Sequence, residues 1–186
     1  MPQPNHSTYD VVIIGGAIFG SSVAWWLTQM AGFDGKVLVV ERDPTYEYAA
    51  TSHTNSCIRQ QFSSAVNIQL AQYSTRFYAE FDRALRVPGH VPHTNFRQRG
   101  YLFLVDDGMA DRFEARVERQ RRLGAHVERL TLDQLRALVP GVRLDDIRFG
   151  VFGPDDGYGD VFLVIDNYAG LASEYEVLLD PVNKLI

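Results

Sequence analysis

An α/β fold built on a parallel sheet is predicted by three features near the start of this 186-residue chain: an apolar β-branched run, a glycine-rich turn, and a second apolar run closed by an acid. Val11 to Ile14 are four consecutive β-branched residues, a pattern expected of a strand buried on both faces of a parallel sheet. Gly15 and Gly16 permit a tight turn with close backbone approach, and Gly20 lets the following helix lie against the strand. Ser21 to Met30 is predicted as that helix, whose first N–H groups and positive dipole end would meet a pyrophosphate. Lys36 to Val40 forms the second strand, and Glu41 closes it where a dinucleotide fold keeps its acid for a ribose hydroxyl.

Strand, turn, helix, strand and acid follow one another within about 30 residues, which is the context that gives a glycine motif its meaning. The alternative is a structural βαβ unit without a ligand. The motif departs from G-x-G-x-x-G at one place, Gly15-Gly16-Ala17-Ile18-Phe19-Gly20, where Ala17 sets a methyl group in the middle glycine's position. A carboxylate at Glu41 would repel a 2′-phosphate, so NADP is disfavoured while NAD and FAD both remain.

Composition narrows the classes further. An apolar fraction of 46% suits a globular chain, and a net charge of −5 supplies no electrostatic attraction to nucleic acid or to an anionic membrane. The basic run Arg116 to Arg122 contains Glu118 and lies on a predicted helix, which reads as a solvated helix face. A single cysteine, Cys57, excludes an intrachain disulfide and points to a reducing, cytoplasmic setting, with a buried small residue as its expected role. Residues 1–8 lack the features of a secretory signal, and no apolar run reaches the length of a membrane span.

Beyond Glu41, Arg42-Asp43-Pro44 breaks the strand, and Thr51, Ser52, Thr54 and Ser56 make a polar loop that could carry a cofactor or cap the next helix. Arg59 follows that loop, where a guanidinium could hold a substrate carboxylate in a bidentate pair. His53 reads as a hydrogen-bonding group rather than a catalyst. Helical periodicity covers Asn67 to Leu85, Tyr101 to Val105 reads as a strand, and Met109 to Leu123 as a charged helix with Gly124 in the C′ position. A short strand at His126 to Leu130 precedes the capping box Thr131-Leu-Asp-Gln134, with Leu130 and Leu135 placed as a staple. Strands are predicted at Ile147 to Phe152 and Tyr175 to Leu179 and a helix at Phe162 to Ser173, while the turn-rich stretch Gly153 to Asp160 reads as a simple connection, with acids facing a site as the alternative.

Taken together, the glycine motif, Glu41-Arg42, the loop from Thr51 to Arg59 and the Gly153-Pro-Asp-Asp-Gly157 turn resemble the FAD-dependent D-amino-acid oxidase superfamily, in its sarcosine oxidase, glycine oxidase and dimethylglycine dehydrogenase branch. The likeness covers the N-terminal half of such a protein. It implies a Rossmann-like FAD-binding domain with the beginning of a mixed α+β substrate domain, divided as residues 1–90, 91–149 and 150–186. It also implies oxidation of an amine or amino-acid C–N bond by hydride transfer to non-covalent FAD, with oxygen or a carrier as acceptor and a partner chain as one source of the remaining half. On this resemblance Gly15, Gly16, Ala17, Ile18, Phe19 and Gly20 bind the pyrophosphate, and Glu41 and Arg42 hold the adenosine. Thr51, Ser52, Asn55, Ser56 and Cys57 line the path to the flavin, and Arg59 meets the substrate carboxylate. An NAD-dependent dehydrogenase and a non-catalytic nucleotide-binding or assembly module are the competing readings.

Overall fold

The computed structural model describes residues 4–86, 91–160, 164 and 176–179. In chain order the elements are β1 (Val11–Ile14), α1 (Ile18–Thr28), β2 (Val37–Glu41), β3 (Cys57–Ile58), α2 (Ala65–Ala79), α3 (Phe81–Ala84) and β4 (Arg97–Gln98). There follow β5 (Tyr101–Val105), α4 (Ala110–Arg122), β6 (Glu128–Leu130), α5 (Leu132–Leu138), β7 (Phe149–Gly153), β8 (Gly157–Tyr158) and β9 (Glu176–Leu179). They fall into two compact units, the first made of Met1–Asn55, Phe81–Asn95 and Asp160–Ile186 and the second of Ser56–Glu80 and Phe96–Gly159. The segmentation expected at residues 90 and 149 does not coincide with this division, because Ser56–Glu80 belongs with the second unit.

The first unit carries a parallel sheet in the order β1-β2-β9, with Ile13 opposite Val39 and Val39 opposite Val177. Every residue of β2 is buried, as an apolar strand flanked on both sides requires. β1 departs from the expectation of burial on both faces: Val12 and Ile14 are 55% and 69% exposed. Its side chains alternate, and the face carrying Val12 and Ile14 has no apolar layer over it among the described residues. α1 packs against β1 and β2 and buries Ser21, Ala24 and Trp25.

The second unit is built on the antiparallel sheet β5-β7-β6 and the small sheet β3-β8-β4. Its core gathers Ile68 from α2, Val105 from β5, Ala110 and Val117 from α4, and Phe149 and Val151 from β7. The single helix expected over Asn67 to Leu85 is two helices, because the Glu80 N–H bonds to the carbonyls of both Arg76 and Phe77 and ends α2 there. The strand expected over Tyr101 to Val105 is β5, and the Gly100 N–H, donating to the Asp156 carbonyl at 2.8 Å, lies between it and the short β4.

Local signals at helix ends hold closely. α4 closes with the paired bonds of a Schellman turn, from Ala125 N to Gln120 O and from Gly124 N to Arg121 O. α5 opens with the reciprocal capping box of Thr131 and Gln134, and Leu130 and Leu135 meet in one apolar cluster. The helix expected at Phe162 to Ser173 lies outside the described residues apart from Val164, and no described helix is long and apolar enough to cross a membrane. Thr131→Ala removes one of the two reciprocal bonds and should cost about 1 kcal/mol. Urea unfolding should show a lower midpoint with an unchanged denaturant slope.

Candidate nucleotide site and a polar cavity in the second unit

At the C-terminal end of β1 the chain turns through Gly15, whose φ of +97° is a conformation that suits glycine. Gly20 lies so close to this turn that a Cβ there would stand 1.8 Å from the Gly15 carbonyl oxygen. α1 therefore begins against the strand end, with Ala17 as its N-cap and no side chain capping its first amides. Those first N–H groups have no intrahelical partner and carry the positive end of the helix dipole. A cavity of about 430 Å³ opens over them, lined by Gly15, Ala17, Phe19 and Gly20 from the motif, by Glu41 and Arg42 from the end of β2, and by Thr51 from the following loop.

Glu41 is 8% exposed and does more than close β2. Its Oε2 accepts from the Gly16 N–H at 2.7 Å and its Oε1 from the Asp43 N–H at 2.8 Å. A carboxylate has about four lone-pair positions, so two remain for hydroxyl donors. The expected role of Gly16 changes accordingly, since its amide faces Glu41; the cavity is served by the amides that open α1. Ile18, Ser52 and Asn55 do not line the cavity, and Ser52 instead donates its hydroxyl to the Tyr46 carbonyl at 2.7 Å. Asp43, Tyr46 and Tyr48 line it and were not singled out from sequence, where they read only as a polar loop after a strand. An uncapped helix start beneath an open cavity, with a hydroxyl-accepting carboxylate at the adjacent strand end, fits the adenosine diphosphate part of a dinucleotide.

The remaining site residues lie in the second unit. Ser56 has a φ of +60°, and Cys57 pairs with Tyr158 across β3 and β8. Cys57 is exposed, contrary to the expected burial, because it sits on a two-residue strand of a small sheet rather than in the core. The Arg59 guanidinium lies 5.1, 5.3 and 5.5 Å from the ring centroids of Phe62, Tyr101 and Phe103. It also lines a separate cavity of about 200 Å³.

The chain matches the DAO family, described as FAD dependent oxidoreductase, over residues 10–181. It belongs to that family. FAD is therefore the cofactor, and the NAD-dependent alternative is set aside. The frog protein named FAD-dependent oxidoreductase domain-containing protein 1 (Xenopus laevis) is 36% identical over 163 residues, which is 86% of this chain and 33% of the relative. Human mitochondrial sarcosine dehydrogenase is 27% identical over 159 residues, 85% of this chain and 17% of that protein. Among solved structures, L-proline dehydrogenase from P. horikoshii superposes with a TM-score of 0.77 at 27% identity, covering 92% of this chain and 43% of that one. The chain thus spans about a third of the length of the frog and bovine relatives it matches.

One acid in the second unit was read as part of a simple connection and is more than that. Asp156 is 1% exposed; its Oδ1 accepts from the Gln60 N–H at 2.8 Å and its Oδ2 from Gln61 Nε2 at 3.1 Å. Burial pushes its pKa up to about 6, against the lowering effect of those two hydrogen bonds and of Arg59, with Asp155 adding to the rise. The folded state therefore holds this proton at a pH where the unfolded chain has released it. Stability from this group is full below the unfolded value near 4 and falls as pH rises toward about 6, by up to about 3 kcal/mol. Asp156→Asn should remove that component, so the stability difference between the variant and the native chain should change between pH 4 and 6 and level off above about 6. Denaturant unfolding across this range measures it.

Proposed function

We propose that this chain is the FAD-binding part, with the beginning of the substrate-binding part, of an oxidoreductase acting on the C–N bond of a secondary amine or amino acid. The observation that carries the reading is the uncapped start of α1 beneath a cavity that Glu41 and Arg42 close from the end of β2. The α1 amides hold the pyrophosphate non-covalently through charge-assisted hydrogen bonds, and the dipole of the helix adds to them. Glu41 accepts from the ribose hydroxyls while keeping the turn in place through the Gly16 amide. Bound FAD supplies the hydride acceptor; the chain's own task is to hold and orient it. Arg59, fixed among three aromatic rings, is assigned to the substrate carboxylate.

The amine class is supported by the names of the relatives, since sarcosine and L-proline are both secondary amino acids. A second reading, a nucleotide-binding module without turnover of its own, rests on the same cavity over the start of α1, which would hold a nucleotide whether or not a substrate is oxidised. Anaerobic addition of sarcosine, L-proline or a D-amino acid to the FAD-loaded chain separates the two: bleaching of the flavin bands supports turnover, and bound flavin that stays oxidised supports the module. Glu41→Ala should weaken FAD binding by roughly 1–3 kcal/mol, a factor of about 5 to 150. Superimposable FAD titration curves for the two proteins would remove Glu41 from the site.

A further inference from the structure

Four hydrogen bonds tie the segment that carries Arg59, and the strand facing it, to the turn at Asp156. The Asp156 carboxylate accepts from the Gln60 N–H at 2.8 Å and from Gln61 Nε2 at 3.1 Å, and these are the two residues that follow Arg59 in the chain. Gln61 Nε2 also donates to the Tyr101 carbonyl at 2.8 Å, and the Asp156 carbonyl accepts from the Gly100 N–H at 2.8 Å. Gly100 leads into β5, whose Tyr101 and Phe103 supply two of the three rings around the guanidinium. The fit is close: a Cβ at Gly153 would stand 2.3 Å from Asp156 Oδ2 and 2.9 Å from Gln61 Nε2, so both groups rest against bare backbone.

This arrangement calls for a carboxylate. Each of its oxygens faces an N–H group, and hydrogen bonds to an ion are roughly twice as strong as those between neutral groups. Asparagine would turn an N–H of its own toward one of those donors. Arg59 Nε is buried without a hydrogen-bond partner, so the place of the guanidinium is set by the backbone that carries it and by the rings around it. We propose that Asp156 is a positioning residue for Arg59, fixing from one turn both the segment that carries the guanidinium and the strand that walls it. The inference rests on the assignment of Arg59 to the substrate carboxylate and adds the residue that acts through Gln60, Gln61 and Gly100 to hold it there.

The hold depends on charge. A protonated carboxyl turns one oxygen into a donor against a facing N–H, so the grip on Gln60 and Gln61 weakens as pH falls through about 6. Of the charged groups nearby, Arg59 favours the ion and Asp155 opposes it, and His126 lies 3.4 Å from Asp155. The titratable side chains of the surrounding strands are Cys57 on β3, Arg97 on β4, Tyr101 on β5 and Tyr158 on β8, with none on β7.

Heteronuclear NMR of the Arg59 Nε–H group in the whole chain, its signal identified by its loss in Arg59→Lys, tests the proposal. In the native chain this signal should move with pH with a midpoint of about 6, and Asp156→Asn should displace it and abolish the movement. Gln61→Leu, which removes both Nε2 bonds and no charge, should displace it as well. Arg129, whose guanidinium lies 4.2 Å from the Phe149 ring centroid and whose Nε donates to Glu114, should keep its own signal throughout and so reports that the unit stays folded. Where Asp156→Asn loses the Arg129 signal, Gln61→Leu decides. An Arg59 signal unchanged in both variants, or a pH response that survives in Asp156→Asn and so comes from His126, would overturn the proposal. So would a native chain that shows the Arg129 signal and none from Arg59, since a guanidinium held in place is protected from exchange. Flavin bleaching and FAD titration are independent of these signals: their failure with the Arg59 response intact counts against the proposed function alone, and the reverse counts against Asp156 alone.

Discussion

The hydrogen bond from the Gly16 amide to the buried Glu41 carboxylate ties the glycine turn to the end of β2, and the geometry of the nucleotide site depends on it. An ion at this depth is tolerated because two backbone amides, those of Gly16 and Asp43, satisfy its oxygens. With the turn held, Gly20 can rest against the Gly15 carbonyl and α1 starts where its free amides face open space. The negative charge of Glu41 is thus spent on the turn from one side, while its remaining lone pairs face the side where a sugar would lie.

The second unit uses the same device. Asp156, at the turn between β7 and β8, takes an amide from Gln60 and the side chain of Gln61, and through Gln61 it fixes one wall of the polar cavity. Burial raises the pKa of Asp156 to about 6, so this anchor changes protonation just below neutrality. In each unit a buried carboxylate, at the end of β2 or in the turn after β7, holds amide donors in place, and a cavity lies beside the residues so arranged.

The parts of this fold that were legible in the sequence are those with a local cause. The β1-α1-β2 unit, the Gly124 helix end and the Thr131 capping box depend on residues within a few positions of one another, and each stands as read. In the nucleotide site, Gly15, Ala17, Phe19, Gly20, Glu41, Arg42 and Thr51 line one cavity, brought together by the parallel pairing of β1 and β2 that the two apolar runs announce. What escaped depends on distant partners. The exposure of Val12 and Ile14 is decided by what covers the sheet, which an apolar run does not report. Cys57 was expected to be buried from its residue type, but its position on a two-residue strand leaves it exposed. Asp156 was read chiefly as part of a connection because an acid in a turn-rich stretch looks solvated, and its partners Gln60 and Gln61 are 96 and 95 residues away.

The chain has two tryptophans, Trp25 and Trp26, and both belong to α1. One indole is packed inside at 4% exposure and its neighbour stands 43% exposed. The tryptophan fluorescence of the whole polypeptide therefore originates from the single helix whose opening amides face the nucleotide cavity, so the protein carries its own optical reporter, one ring sensing the packing of the first unit and the other its solvent.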